Sequence, residues 1–252
     1  MHPIIATGTG SRWVDGYRAG TADGFDLGAA SAADQVRAVD PDVVFLCSPN
    51  NPTGTALGLD VVEAVLAASD RALVVVDEAY AEFARPGTPS ALTLLPGRPR
   101  LVVTRTMSKA FAFAGVRLGY LAADPSVCDA LRLVRLPYHL SSLTQAAALA
   151  ALRHADLLLS TVDAVIAQRD RLVAEPPALG GGGRVHAVPS DANFVLFGGL
   201  ADAPATWRAL LAHDVLVRDV GLAGHLRVTA GTAEETTAFL TALDAVLSEE
   251  TA

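Results

Sequence analysis

Lys109 is the only lysine among 19 basic residues; every other one is arginine. A Schiff base with a carbonyl compound needs a primary amine that can lose its proton, and a guanidinium cannot supply one. A compositional bias that leaves one surface lysine accounts for the count equally well, so the neighbours of Lys109 carry more information than its rarity. They read Thr104-Arg105-Thr106-Met107-Ser108-Lys109-Ala110-Phe111, with hydroxyls one and three positions before the lysine and Arg117 eight positions after it. Hydroxyls and a guanidinium suit a phosphate, and an amine beside them suits an aldehyde that bears that phosphate. The G-x-x-x-x-G-K pattern of a nucleotide-binding loop is absent.

Two further constellations precede it. In Val74-Val75-Val76-Asp77-Glu78-Ala79-Tyr80 an acid closes a fully apolar run, which is costly without a cationic partner such as a protonated ring nitrogen. Tyr80, three positions on, can turn its phenol into the same cleft; Asp77 as the cap of a following turn is the structural alternative. Ser48-Pro49-Asn50-Asn51-Pro52-Thr53-Gly54 follows another apolar run. Ligands of open α/β sheets sit beyond the carboxyl ends of the strands, so Asn51, held by the proline after it, can present a fixed amide there. The same residues also make a good tight turn.

The elements that must position these residues alternate short β-branched runs with Ala/Leu-rich amphipathic stretches, the pattern of a parallel sheet covered by helices. Strands are expected at Val43–Cys47, Leu73–Asp77, Leu101–Thr104 and Arg117–Ala122, with helices at about Leu59–Ser69 and Ser126–Leu133. A long helical region, Ser141–Val173, breaks near His154-Ala155-Asp156. Glu175 to Gly183, ending in four glycines, is the clearest interruption. Beyond it come strands at Val185–Val188, Asn193–Phe197, Val215–Arg218 and His225–Thr229 and helices at Ala203–His213 and Ala233–Leu247, a smaller α+β unit. The first 40 residues hold a weak strand, Pro3–Thr7, and a short helix near Ala30–Val39. The expected division is a large domain over 1–160 and a small one over 161–252.

Composition narrows the classes of function. A chain of 252 residues with 51% apolar side chains can bury a full core, which excludes disorder. No apolar run approaches the ~18–20 residues of a membrane span, and Met1-His2-Pro3 carries no signal pattern. The net charge of −8 argues against nucleic acid as a partner. Cys47 and Cys128 have neither disulfide-scaffold nor zinc-knuckle spacing, so no metal is expected and the location reads as cytoplasmic.

The segments S-P-N-N-P-T-G, D-E-A-Y-A-E-F and R-T-M-S-K-A-F-A-F-A-G-V-R-L-G-Y, in this order, resemble the class I/II aminotransferases of fold type I, which depend on pyridoxal 5'-phosphate. Within that group they most resemble the histidinol-phosphate aminotransferases, as does the C-terminal V-R-D-V-G-L-A-G-H-L-R-V-T-A-G-T. The resemblance implies an α/β large domain with a mainly parallel sheet and a smaller C-terminal α+β domain. It implies that Lys109 forms the Schiff base with the cofactor and then moves the substrate proton, that Asp77 pairs with the pyridine nitrogen, and that Tyr80 and Asn51 bond the ring oxygen. Thr106, Ser108 and Arg117 would hold the cofactor phosphate. Arg227 would bind the substrate carboxylate, and Arg218 would help with the substrate's own phosphate; for either arginine a surface ion pair is the plain alternative.

The implied reaction is transamination between L-histidinol phosphate and 2-oxoglutarate in histidine biosynthesis, by a homodimer when the chain is full length. An aromatic amino-acid aminotransferase and a phosphothreonine decarboxylase share the same core, and an inactive remnant of the fold is the reading from another class. The family pattern includes an N-terminal segment that this sequence lacks, with an arm, a ring-stacking aromatic residue and part of the phosphate cup. Weak or no activity of the 252-residue chain by itself is therefore expected, together with an exposed apolar sheet edge.

Overall fold

The computed structural model describes residues 2–20, 24–176, 179 and 184–249. Met1, and Pro177, Ala178 and Gly180 to Gly183 of the expected interruption, lie outside the described residues. The fold is α/β, with one mainly parallel sheet and one antiparallel sheet.

The first sheet contains β1 (Val43–Cys47), β2 (Leu73–Asp77), β3 (Leu101–Thr106) and β4 (Gly119–Ala123), in that spatial order. The first three run parallel and β4 is antiparallel to β3. Val74, Val76, Leu101 and Val103 are almost wholly buried under α2 (Ala29–Val39) and α3 (Leu59–Ala68), which supply Ala32, Val36, Val61, Val62, Val65 and Leu66. The opposite face is more open: Val43 and Phe45 of β1 are exposed there, as is Leu121 of β4. The parallel registers place Cys47 beside Asp77 and Asp77 beside Thr104, so three carboxyl strand ends meet in one row.

Four expected elements shift. The segment Pro3–Thr7 is helical, not extended: α1 spans His2–Gly8. Pro3 falls in its first turn, where a missing N–H costs nothing, and the Thr7 hydroxyl donates back to the Pro3 carbonyl at 2.9 Å. Among the described residues β1 pairs only with β2, so this segment has no strand to join. The strand expected from Arg117 begins two residues later, because Arg117 adopts φ 61°, the left-handed conformation of a loop. The strand expected at Val215–Arg218 shortens to β7 (Arg218–Asp219). There the Trp207 indole takes the Val217 carbonyl at 2.9 Å. The strand at Val185–Val188 shortens likewise, to β5 (His186–Ala187).

After β4 come α4 (Pro125–Val134), α5 (Ser142–Arg153) and α6 (Ala155–Ala174). Asp124 and Ser141 cap the first two by accepting backbone N–H bonds from Ser126 and Thr144. His154 marks the break between α5 and α6, as the sequence pattern implies. The second sheet, in the order β5, β6 (Phe194–Gly198), β8 (Leu226–Thr229) and β7, is backed by α7 (Ala203–Ala212) and α8 (Ala233–Glu249). Its core joins Val195, Phe197, Leu226 and Val228 to Leu210, Phe239, Leu243 and Val246. The expected division at 160/161 falls inside α6, which packs Val162 against Phe83 and Ala110 and Leu172 into the second core. From the same helix Arg169, 1% exposed, donates to the carbonyls of Phe83 at 2.6 Å and Ala192 at 3.5 Å, tying the two sheets' surroundings together.

Candidate active site

Asp77 ends β2, and its carboxylate lies 3.3 Å from Nε2 of His2. It does not cap the next turn, Ala81–Phe83, which has no side-chain cap. Its neighbour Glu78, 3% exposed, accepts from the Ala91 amide at 2.7 Å and from the Ser90 hydroxyl. Arg105 donates to Glu78 at 2.6 Å and to Glu82 at 3.1 Å. This buried ion-pair group leaves Asp77 free to face the cleft. His2 stacks on Phe45 with ring centroids 4.6 Å apart, and its Nδ1 lies 3.9 Å from the Cys47 sulfur. Burial, reinforced by the negative charge of Asp77, pushes the Cys47 thiol up to about 11, so it keeps its proton at neutral pH.

Tyr80 follows on the loop after β2, edge-on to Phe194 at 5.1 Å. Burial raises its pKa, while the positive charge of Arg227 and the Asn51 hydrogen bond pull it the other way. Asn51 sits on the loop after β1 and donates from Nδ2 to the Tyr80 oxygen at 3.3 Å. The loop is also the tight turn that its prolines suggest: Gly54 N donates to Asn50 O and Asn50 N to Thr55 O. Gly54 has φ 79° and abuts Ser190 so closely that a Cβ would collide with its side chain. The Asn51 oxygen accepts from Nη1 of Arg227 at 2.7 Å.

Arg227 lies on β8 with its guanidinium 4.9 Å over the Phe194 ring and its Nε buried without a hydrogen-bond partner. Burial lowers its pKa first; the phenol of Tyr80 opposes this and the nearby Arg218 adds to it. Arg218 is its cross-strand neighbour on β7. Lys109 follows β3 by three residues and places Nζ 5.7 Å over the Tyr80 ring. Thr106 donates to the Ser108 hydroxyl at 2.9 Å, and the Ser108 amide returns to Thr106 at 3.1 Å. Arg117 belongs to the loop held beside them by the Met107 N–H to Leu118 O bond, but its guanidinium turns to the Ala114 carbonyl at 2.8 Å rather than to the two hydroxyls.

The structure thus gathers Asn51, Tyr80, Lys109 and Arg227 through direct contacts and pairs Thr106 with Ser108; Asp77 closes the same row of strand ends. Three contributors escape sequence reasoning. His2 hides in a segment with a strand-like pattern. Phe194 reads as core. Glu78, the neighbour of Asp77, gives no sign of which of two adjacent acids faces the cleft. Chemically, the arrangement offers an amine, a carboxylate at a strand end, a phenol–amide pair, two hydroxyls and a pair of guanidiniums, a set suited to a ring cation that carries a phosphate and to anionic substrates.

Residues 1–243 match the family model for aminotransferase class I and II, and the chain belongs to that family. More narrowly, it is 59% identical over 249 residues to the histidinol-phosphate aminotransferase of Paenarthrobacter aurescens strain TC1, covering 98% of this chain and 65% of the relative. It is 60% identical over 251 residues to the enzyme of the same name from Frankia casuarinae, covering 98% of this chain and 62% of that one. The chain therefore spans somewhat less than two thirds of the length of these curated relatives. Among solved structures, the histidinol-phosphate aminotransferase of Sinorhizobium meliloti in complex with pyridoxal-5'-phosphate superposes with a TM-score of 0.84 at 26% identity, covering 98% of this chain and 67% of that one.

Proposed function

We propose that this chain carries the reaction core of a pyridoxal-5'-phosphate-dependent aminotransferase that exchanges an amino group between L-histidinol phosphate and 2-oxoglutarate, a step of histidine biosynthesis. The names of the two bacterial relatives and the cofactor of the Sinorhizobium structure support this reading. The observation that carries it is the side chain of Asn51, bonded on one side to Tyr80 and on the other to Arg227. One amide thereby links the group suited to a cofactor ring with the group suited to a substrate anion.

The residues fit the cofactor in their chemistry. Asp77 would pair with the ring nitrogen, Tyr80 and Asn51 with the ring oxygen, Thr106, Ser108 and Arg117 with the phosphate, and Lys109 with the aldehyde. Arg227 Nε, a buried donor without a partner among the described residues, is satisfied once an anion binds. When bound, the cofactor supplies an electron sink for the carbon that loses its proton. Lys109 Nζ takes that proton and returns it, the base-then-acid role open to a primary amine in this position. Burial keeps the Tyr80 phenol a neutral donor near pH 7. The planar fork of Arg227 accepts either the carboxylate of the oxo acid or, with Arg218 beside it on the next strand, the phosphate of the amino donor.

A homodimer and a cytoplasmic location belong to the same proposal. Leu133, Leu136 and Tyr138 are 87%, 76% and 98% exposed, and a second copy would cover them. Among the described residues no helix is long and apolar enough to cross a membrane.

The donor is tested by titrating the cofactor-loaded protein and following the cofactor's absorbance. L-histidinol phosphate should bind more tightly than phenylalanine, and Arg218→Ala should remove the difference. Tighter binding of phenylalanine to the unaltered protein would instead favour an aromatic amino-acid donor.

A further inference from the structure

Three strands of the second sheet place two histidines on either side of a glycine. His186 on β5 pairs with Gly198 on β6. The register of β6 with β8 sets Phe197 opposite Leu226, so the next rung sets Gly198 opposite His225. Side chains alternate along a strand, and Phe197 and Leu226 point into the core with α7 and α8. His186, Gly198 and His225 therefore share the other face, the one that carries Arg227. Gly198 leaves the middle of the row open: a Cβ built there would lie 2.7 Å from Nε2 of both histidines. The two nitrogens are thus no further apart than twice that distance.

The protonation of His225 follows from its other nitrogen. Nδ1 lies 2.7 Å from the Ala223 carbonyl, which can only accept, so Nδ1 carries the proton. In the neutral ring Nε2 then presents a lone pair. That atom is shielded from solvent in a residue 6% exposed, and no donor among the described residues reaches it. Leaving a buried acceptor unpaired is costly. A lone pair repels anions and suits a cation. Imidazole nitrogen suits zinc, copper or nickel, whereas magnesium and calcium prefer oxygen. A bond from Nδ1–H to a carbonyl is also the arrangement that orients metal-binding histidines. His186 stands perpendicular to His225, with ring centroids 6.4 Å apart, and its exposure gives an ion a way in.

We propose that His186 and His225 form a two-imidazole site for a divalent transition-metal ion of the zinc, nickel and copper group, with water completing its coordination. The site shares no residue with the Lys109 centre and does not rest on the reading of that centre. A second group of donors, His2, Cys47 and Asp77, lies within 4.8 Å of one another. Those residues belong to the floor of the candidate active site, and the thiol there keeps its proton at neutral pH.

The test is calorimetric titration of tag-free, chelator-washed protein with zinc chloride at neutral pH. One saturable equivalent is expected. Because His186 is exposed, His186→Ala should keep the fold, verified by circular dichroism, while binding zinc about tenfold or more weakly. His225→Gln should weaken binding likewise, and Cys47→Ser should leave it unchanged. The proposal is overturned if no saturable binding is found, if His186→Ala binds as tightly as the unaltered protein, or if Cys47→Ser alone removes the binding.

Discussion

Arg227 and Asn51 stand 176 positions apart in the chain, yet Nη1 of the arginine donates to Oδ1 of the asparagine at 2.7 Å. The contact joins the loop after β1 to the inner strand β8 and so spans the two sheets. Because the same amide also reaches Tyr80 at 3.3 Å, one side chain orients both the phenol and the guanidinium.

Replacement of Asn51 by alanine should therefore act on ligand binding more than on stability, since the side chain is exposed. A hydrogen bond to a charged group contributes about 1.5–3 kcal/mol. An amino donor should bind the cofactor-loaded Asn51→Ala protein about tenfold to a hundredfold more weakly, read from the cofactor's absorbance. A change in melting temperature with no change in affinity would show that the bridge is only structural.

The Cys47 thiol offers a pH test of the cleft floor. Burial and Asp77 hold it up to about 11, above its ordinary value of 9.0. A raised thiol pKa favours the neutral form in the folded state, so this contribution to stability is fully present below the unfolded pKa. It is lost as pH rises through the folded one, between about 9 and 11. At pH 8, alkylation of Cys47 by iodoacetamide should run about a hundredfold more slowly than that of an unhindered thiol. Rapid alkylation in the native protein would contradict the half-buried placement beside Asp77.

Gly54 is held at φ 79° against Ser190, and its carbonyl accepts from the Asp191 amide at 2.8 Å. A side chain there meets both an unfavourable backbone conformation and a collision. Gly54→Ala should lose about 2 kcal/mol or more of stability in urea denaturation, through the seam that also positions Asn51. A neutral substitution would mean that the two segments do not meet.

The sheet strands and the long helices were legible because their periodicity is strong. Val43–Cys47 and Leu73–Asp77 match to the residue, and the α5–α6 break falls at His154. The misses have local causes. Ile4 and Ile5 give α1 a strand-like pattern that only a missing strand partner overrules. Arg117 looks like strand until its left-handed φ is known. Within the candidate site, residue types pointed to Lys109, Asp77, Tyr80 and Asn51 because each sits just beyond an apolar run. The contact of His2 with Asp77 and the seat of Arg227 on Phe194 arise from segments distant in sequence, and no periodicity carries that information.

The most direct test is the site of covalent attachment. The protein is incubated with pyridoxal 5'-phosphate, reduced with borohydride, digested and examined by peptide mass spectrometry. The expected result is a single stoichiometric label on Lys109, absent in Lys109→Ala. A label confined to the N-terminal amine, or none on Lys109 at saturating cofactor, would contradict the assignment of this lysine as the centre of the chemistry.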